Sequence, residues 1–137
     1  MGCSTNNKVE TQLTEESKLQ QVVTSSPCFG PYSAAIKANG FIYVSGQLGI
    51  IQGNLPATVE EQTEAALQNL KEVLDAAKSG LNKVAKCQVV LQNMDDFTKV
   101  NEVYAKYFTE HKPARICVEM SKLPKGALIE IDAIAIE

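Results

Sequence analysis

The segment "PARICVEM" (113–120) sets Arg115 and Cys117 two residues apart in a run that otherwise reads as an apolar strand. An arginine stays charged at any physiological pH, and its planar guanidinium matches a carboxylate or phosphate as a bidentate fork. Two readings of Arg115 stand side by side: the anchor of a small anion, or the cationic half of a structural ion pair with Glu119 or Glu130. Glu130, in "IEIDAIAI" (129–136), suits proton transfer where its surroundings are dry enough to raise its pKa, whereas a nearby Arg115 would lower it. Asp132 is its rival in the same register. Cys117 is a nucleophile by type, but His111 is the only histidine and falls at a helix end. With no base beside it, Cys117 reads as a small residue whose backbone matters more than its sulfur. Tyr32 in "GPYS" and Ser45-Gly46 in "VSGQ" complete the set. They fall at turns or strand ends, where side chains are exposed and a glycine lets a ligand approach the backbone.

Several chemistries are excluded by what is missing. No P-loop, GxGxxG, HExxH, GxSxG or EF-hand pattern occurs, so no nucleotide, metal or other cofactor is expected. The four cysteines, Cys3, Cys28, Cys87 and Cys117, show no CxxC pairing, and one histidine cannot complete a zinc set. Free thiols in a reducing, cytoplasmic compartment follow. A net charge of −3 without a dense Lys/Arg cluster leaves no basic stripe for a phosphate backbone, so nucleic acid is not an expected partner. No apolar run approaches the roughly 18 residues of a membrane span. The start "MGCSTN" offers Gly2 and Cys3 for acylation, but Asn6 stands where that pattern wants Ser or Thr.

What would hold the reactive residues is written in the pattern around them. Residues 1–20 form a polar lead, expected to be mobile, and 21–137 suffice for one domain. Asn39-Gly40 lies between two apolar runs and supplies the positive φ angles of a type I′ hairpin. From Thr58 the period becomes helical: Ala66, Leu70, Val73, Leu74 and Ala77 share a face, Thr58 and Glu61 form a capping box, and Gly80 is the expected stop. A strand over 86–92 precedes a second helix, with Asn93 and Asp95 as caps and a stripe of Phe97, Val100, Tyr104, Tyr107 and Phe108 that Pro113 ends. Two further strands, 114–120 and 128–136, flank a Pro124/Gly126 turn. The order is β-β-β-α-β-α-β-β, counting a weak strand near 21–24.

Alternation sorts Ala114, Ile116, Val118 and Met120 from Arg115, Cys117 and Glu119. With the apolar sets facing the helices, Ser45, Arg115, Cys117 and Glu130 are expected together on the other face. Two helices about 10 Å wide can cover only one face of a five- or six-stranded sheet. Phe41, Tyr43, Leu128, Ile134 and Ile136 then leave the second face apolar, which points to a homo-oligomer.

The segments "GPYS" (30–33), "IYVSGQLG" (42–49), "DDFTKVNEVYAKYF" (95–108), "PARICVEMSKLPKG" (113–126) and "IEIDAIAI" (129–136) together resemble the RidA (YjgF) family of reactive-intermediate deaminases, also labelled L-PSP endoribonucleases. The likeness runs from about Val22 to Glu137. It implies a chorismate-mutase-like α+β fold, with two helices on one face of a mixed sheet, and a homotrimer with clefts between subunits. The implied activity is hydrolysis of enamine/imine acids, 2-aminoacrylate and 2-aminocrotonate, to 2-keto acids and ammonia. Carried over by motif, Arg115 would clamp the substrate carboxylate, Glu130 would position or activate water, and the Cys117 carbonyl would assist. Tyr32, Ser45 and Gly46 would shape the pocket, with Asn101 nearby. The longer lead, "PCFGPY" and the short loop "IIQGNLPA" depart from the family pattern, and the change beside Tyr32 bears on substrate preference. Two other readings remain, an endoribonuclease or translation inhibitor and a non-catalytic sensor of small acids.

Overall fold

The structure, a computed structural model, describes residues 19–137. The acylation pattern at Gly2 and Cys3 and nearly all of the polar lead lie outside the described residues.

Six strands form one mixed sheet: β1 Gln20–Val22, β2 Ala35–Ala38, β3 Phe41–Leu48, β4 Val84–Leu91, β5 Ala114–Glu119 and β6 Ile129–Ile136. Among the described residues two α-helices, α1 Val59–Ala76 and α2 Phe97–Tyr107, complete the expected α+β order. Across the sheet the order is β1-β2-β3-β6-β4-β5. All neighbours are antiparallel except β4 and β5, whose parallel pairing requires the crossover that α2 provides. At the β2–β3 turn, Asn39 and Gly40 have φ of 51° and 84°, the type I′ turn read from the sequence.

Thr58 caps α1 by accepting from the Glu61 N–H at 3.2 Å. The helix does not run to Gly80. It closes at Ala77, after which Lys78 takes φ +60° and the Ser79 N–H returns to the Leu74 carbonyl at 2.9 Å. That bond satisfies a carbonyl the helix end would otherwise leave free, and a lysine rather than a glycine occupies the left-handed position.

Helix spacing puts Leu67, Leu70 and Leu74 on one face, all fully buried against Ile42, Val89, Ile131 and Ala135 of the sheet and Val100 and Tyr104 of α2. Each such side chain contributes about 1.5–3 kcal/mol by burial, and Leu70→Ala would cost about 2–5 kcal/mol. Both helices cover the same sheet face. On the open face Phe41, Tyr43, Ile116 and Ile136 remain 43–47% exposed, and a small second cluster of Leu48, Val90, Leu123 and Ala127 sits near one end. Leu128, expected on the open face, packs instead against the main core, drawn there by its N–H bond to Gln62 Oε1 of α1.

Candidate active site

The Glu130 side of the site is built on a bulge. β3 pairs with β6 through Val44↔Ala133 and then Gln47↔Ile131, so Ser45 and Gly46 together face Asp132. An extra residue shifts the alternation, and Leu48 rather than Gln47 joins Glu130 on the open face. Ser45 is fixed at both ends: its N–H donates to the Ala34 carbonyl (3.0 Å) and its Oγ–H to the Ser33 carbonyl (2.6 Å). Gly46 is the residue over which the Glu130 side chain lies, since a Cβ there would collide with the carboxylate. The space that the sequence reserved for a ligand is taken by Glu130.

Glu130 sits in register between Leu48 and Val90, both buried. Burial pushes its carboxyl above the ordinary value, and the charge of Asp132 adds to the rise. Asp132 is itself raised by burial, partly offset by Lys86. A carboxyl raised in this way is better suited to exchange a proton than an ordinary surface carboxylate. Beside it opens a cavity of about 730 Å³ lined by Tyr32, Ser45, Gly46 and Glu130, with Phe29 and Lys125 on its wall. The Tyr32 hydroxyl accepts from the Phe29 N–H at 3.3 Å, and the Lys125 ammonium lies 4.4 Å from the Phe29 ring centroid.

Arg115 belongs to the other face. It pairs in register with Cys87, and Cys87 with Ala133, both buried beneath the helices. Its guanidinium lies 4.8 Å from the Tyr104 ring centroid and 5.6 Å from that of Phe97, both on α2. Asn101, four residues after Phe97 and three before Tyr104, shares that helix face. Cys117 follows on the same side of β5, packed against the main core. Burial raises its thiol and the Arg115 charge opposes the rise. His111, the one histidine, is tied to β4 instead, its Nε2 2.6 Å from the Val84 carbonyl.

The expectation that Ser45, Arg115, Cys117 and Glu130 share one face is therefore corrected. Ser45 and Glu130 stand with the open face, Arg115 and Cys117 with the helices. The apolar set of β5 turns outward, and Ile116 is 47% exposed, because β5 is an edge strand and the open face is itself apolar. The ion-pair reading of Arg115 falls as well. Among the described residues the ion pairs are Lys37–Glu137 and Lys71–Asp75, and Glu119 Oε1 accepts instead from the Met94 N–H at 2.8 Å. The candidates thus divide into Arg115, Cys117 and Asn101 at one edge, and Tyr32, Ser45, Gly46 and Glu130 at the bulge. Sequence reasoning missed Phe97 and Tyr104 as neighbours of Arg115, having placed them in an apolar stripe. It also missed Phe29 and Lys125 in the cavity wall.

No group of His, Cys, Asp and Glu among the described residues could hold a metal ion, and no helix among them is long and apolar enough to cross a membrane.

Comparison with known proteins assigns the family. The family model described as "Endoribonuclease L-PSP" matches residues 23–137. The mitochondrial protein mmf1 of Schizosaccharomyces pombe is 48% identical over 112 residues, 79% of this chain and 69% of that protein. The 2-iminobutanoate/2-iminopropanoate deaminase of Mus musculus is 42% identical over 118 residues, 83% of this chain and 87% of the mouse protein. The crystal structure of YyfA, a conserved Rid family protein from Yersinia pestis, superposes with a TM-score of 0.84 at 39% identity, covering 87% of this chain and 99% of that one. The chain belongs to the L-PSP (Rid, YjgF) family, as its motifs suggested. The Schizosaccharomyces pombe relative is named as mitochondrial, which differs from the cytoplasmic expectation for this chain.

Proposed function

We propose that this protein hydrolyses enamine/imine acids such as 2-aminoacrylate and 2-aminocrotonate to the 2-keto acid and ammonia, in clefts where one copy supplies Arg115 and the next supplies Glu130. The observation that carries this reading is the division of the candidates between two faces. Each half is chemically incomplete, one a cation with no carboxylate partner among the described residues, the other a raised carboxyl beside a cavity. The apolar open face supports association of copies, since Phe41, Tyr43, Ile116 and Ile136 are left exposed on it. A homotrimer is the assembly proposed, with residues 21–137 acting as its single domain.

In this reading the Arg115 fork holds the substrate carboxylate, which fixes the imine carbon beside Glu130. The enamine takes a proton on carbon to become the iminium form. Water then adds to the electrophilic carbon as Glu130 accepts its proton, and the Cys117 carbonyl helps hold that water. Glu130 returns the proton to nitrogen, the new hydroxyl gives up its own proton to Glu130 as the C=O bond forms and the C–N bond breaks, and ammonia leaves with the 2-keto acid. Tyr32, Ser45, Gly46 and Asn101 shape the pocket. No covalent enzyme intermediate or redox step is needed. The name borne by the mouse relative agrees with this chemistry.

The test couples a pyridoxal-phosphate-dependent serine or threonine dehydratase to the protein and follows imine decay and keto-acid release. Wild type should accelerate both, and an Arg115→Ala variant of unchanged oligomeric state should not. Absence of acceleration by wild type on either substrate would overturn the reading, and ligand-dependent stabilisation without turnover would select the sensor role.

A further inference from the structure

Two aromatic rings of α2 flank Arg115: Tyr104, which also belongs to the main core, and Phe97, which does not. Phe97 opens α2 and is 38% exposed, an uneconomical place for a phenylalanine unless its face is used. Tyr104 is buried, and among the described residues its hydroxyl makes no regular hydrogen bond, the Cys87 thiol being its polar neighbour. What both rings offer to a neighbour is a π face, and the neighbour is the Arg115 guanidinium.

A partly buried arginine is ordinarily paired with a carboxylate. Here Glu119, on the same side of β5, is spent on the Met94 N–H, while Glu130 and Asp132 project from the opposite face. An ion pair would occupy the N–H fork. A ring face attracts the cation through its quadrupole without accepting those in-plane N–H bonds.

We propose that Phe97 and Tyr104 are positioning residues that hold Arg115 as an ordered cation with its fork unspent, so that an incoming carboxylate meets a preset partner. This rests on the function proposed above. Ordering the arginine in advance removes a rotamer cost that substrate binding would otherwise bear. The carboxylate is held alike in ground and transition states, so the effect falls on KM rather than kcat.

The experiment uses full-length Phe97→Leu, Phe97→Tyr and Tyr104→Phe. Imine turnover and 2-ketobutyrate binding are measured, and the Arg115 side chain is followed by NMR through the ring-current displacement of its Hδ and Hε signals. Phe97→Leu should raise KM and the 2-ketobutyrate Kd about two- to fivefold, the scale of one exposed cation–π contact, with kcat unchanged and the ring-current displacement reduced. Phe97→Tyr should restore wild-type behaviour, and Tyr104→Phe, which keeps the ring, should keep the ring-current displacement of the Arg115 signals, because the face and not the hydroxyl is used. Unchanged KM, Kd and Arg115 signals in Phe97→Leu, or a fall in kcat at constant KM, would overturn the proposal. Should wild type show no imine turnover, the deaminase reading fails, and the Arg115 signals and 2-ketobutyrate affinity alone decide the clamp.

Discussion

Arg115 and Glu130 project from opposite faces of one sheet, with β4 between their strands. Two strand spacings, together with the three-residue offset along β4 from Cys87 to Val90, separate their backbones by about 14 Å, and the layer itself lies between their side chains. A substrate of a few heavy atoms cannot touch both groups of one chain. If both act on it, they come from different copies, and the exposed apolar face is where copies would meet.

If Glu130 transfers the proton as proposed, turnover carries a pH signature. Burial, then the charge of Asp132, raises its carboxyl above the ordinary 4.5. The acidic limb of kcat/KM should therefore lie above 4.5 and move downward in Asp132→Asn, which removes the second cause. A limb unmoved by that substitution would separate Asp132 from the reacting carboxyl.

The same shift bears on stability with a definite sign. A carboxyl raised in the folded state costs stability when ionised, so the cost is complete above the raised value and absent below the unfolded value of 4.5. Glu130→Gln should raise Tm relative to wild type at about pH 7.5, and the gain should vanish toward about pH 4. Thermal melts across that window check it; a gain that grows on acidification would reverse the assignment.

Gly46→Ala should damage activity more than folding. A Cβ at Gly46 would collide with the Glu130 carboxylate, which must then swing away. Displacing a reacting group by about 1 Å can cost on the order of 100-fold in rate, whereas the overpacking costs about 1–3 kcal/mol. Parallel kinetics and denaturant melts distinguish the two losses.

Cys117→Ala should keep activity within about threefold, because the thiol is raised by burial and lacks a base, leaving only its carbonyl for the reaction. A loss of about 100-fold, on the scale of general-base effects, would return the sulfur to the mechanism.

Much of this fold could be read locally. Asn39-Gly40 fixed the hairpin turn, and the change of period at Thr58 marked α1, because turn chemistry and amphipathicity act over a few residues. The facing of β5 could not be read so. Its Ala114/Ile116/Val118 set is apolar, but so is the open face, and hydrophobicity alone does not distinguish core from interface. The bulge at Ser45-Gly46 shifts the phase of β3 in a way visible only against β6. Gly80 looked like the helix stop, yet the bond from Ser79 to Leu74 ended α1 earlier and put Lys78 in the left-handed conformation. Phe97 and Tyr104 fit an apolar stripe by spacing, and their relation to Arg115 crosses from α2 to β5. The site candidates themselves came from residue type and motif, but their division between two faces is a property of the assembled sheet.

The most direct test of the account mixes Arg115→Ala and Glu130→Gln subunits, each inactive alone, by unfolding and refolding them together at equal concentration. A cleft drawing Arg115 from one copy and Glu130 from the next is complete in about one quarter of random pairings, so the mixture should recover about one quarter of wild-type imine hydrolysis. Recovery at that level is the predicted result. A mixture as inactive as its components, with mixed oligomers confirmed by native mass spectrometry, would contradict the shared cleft.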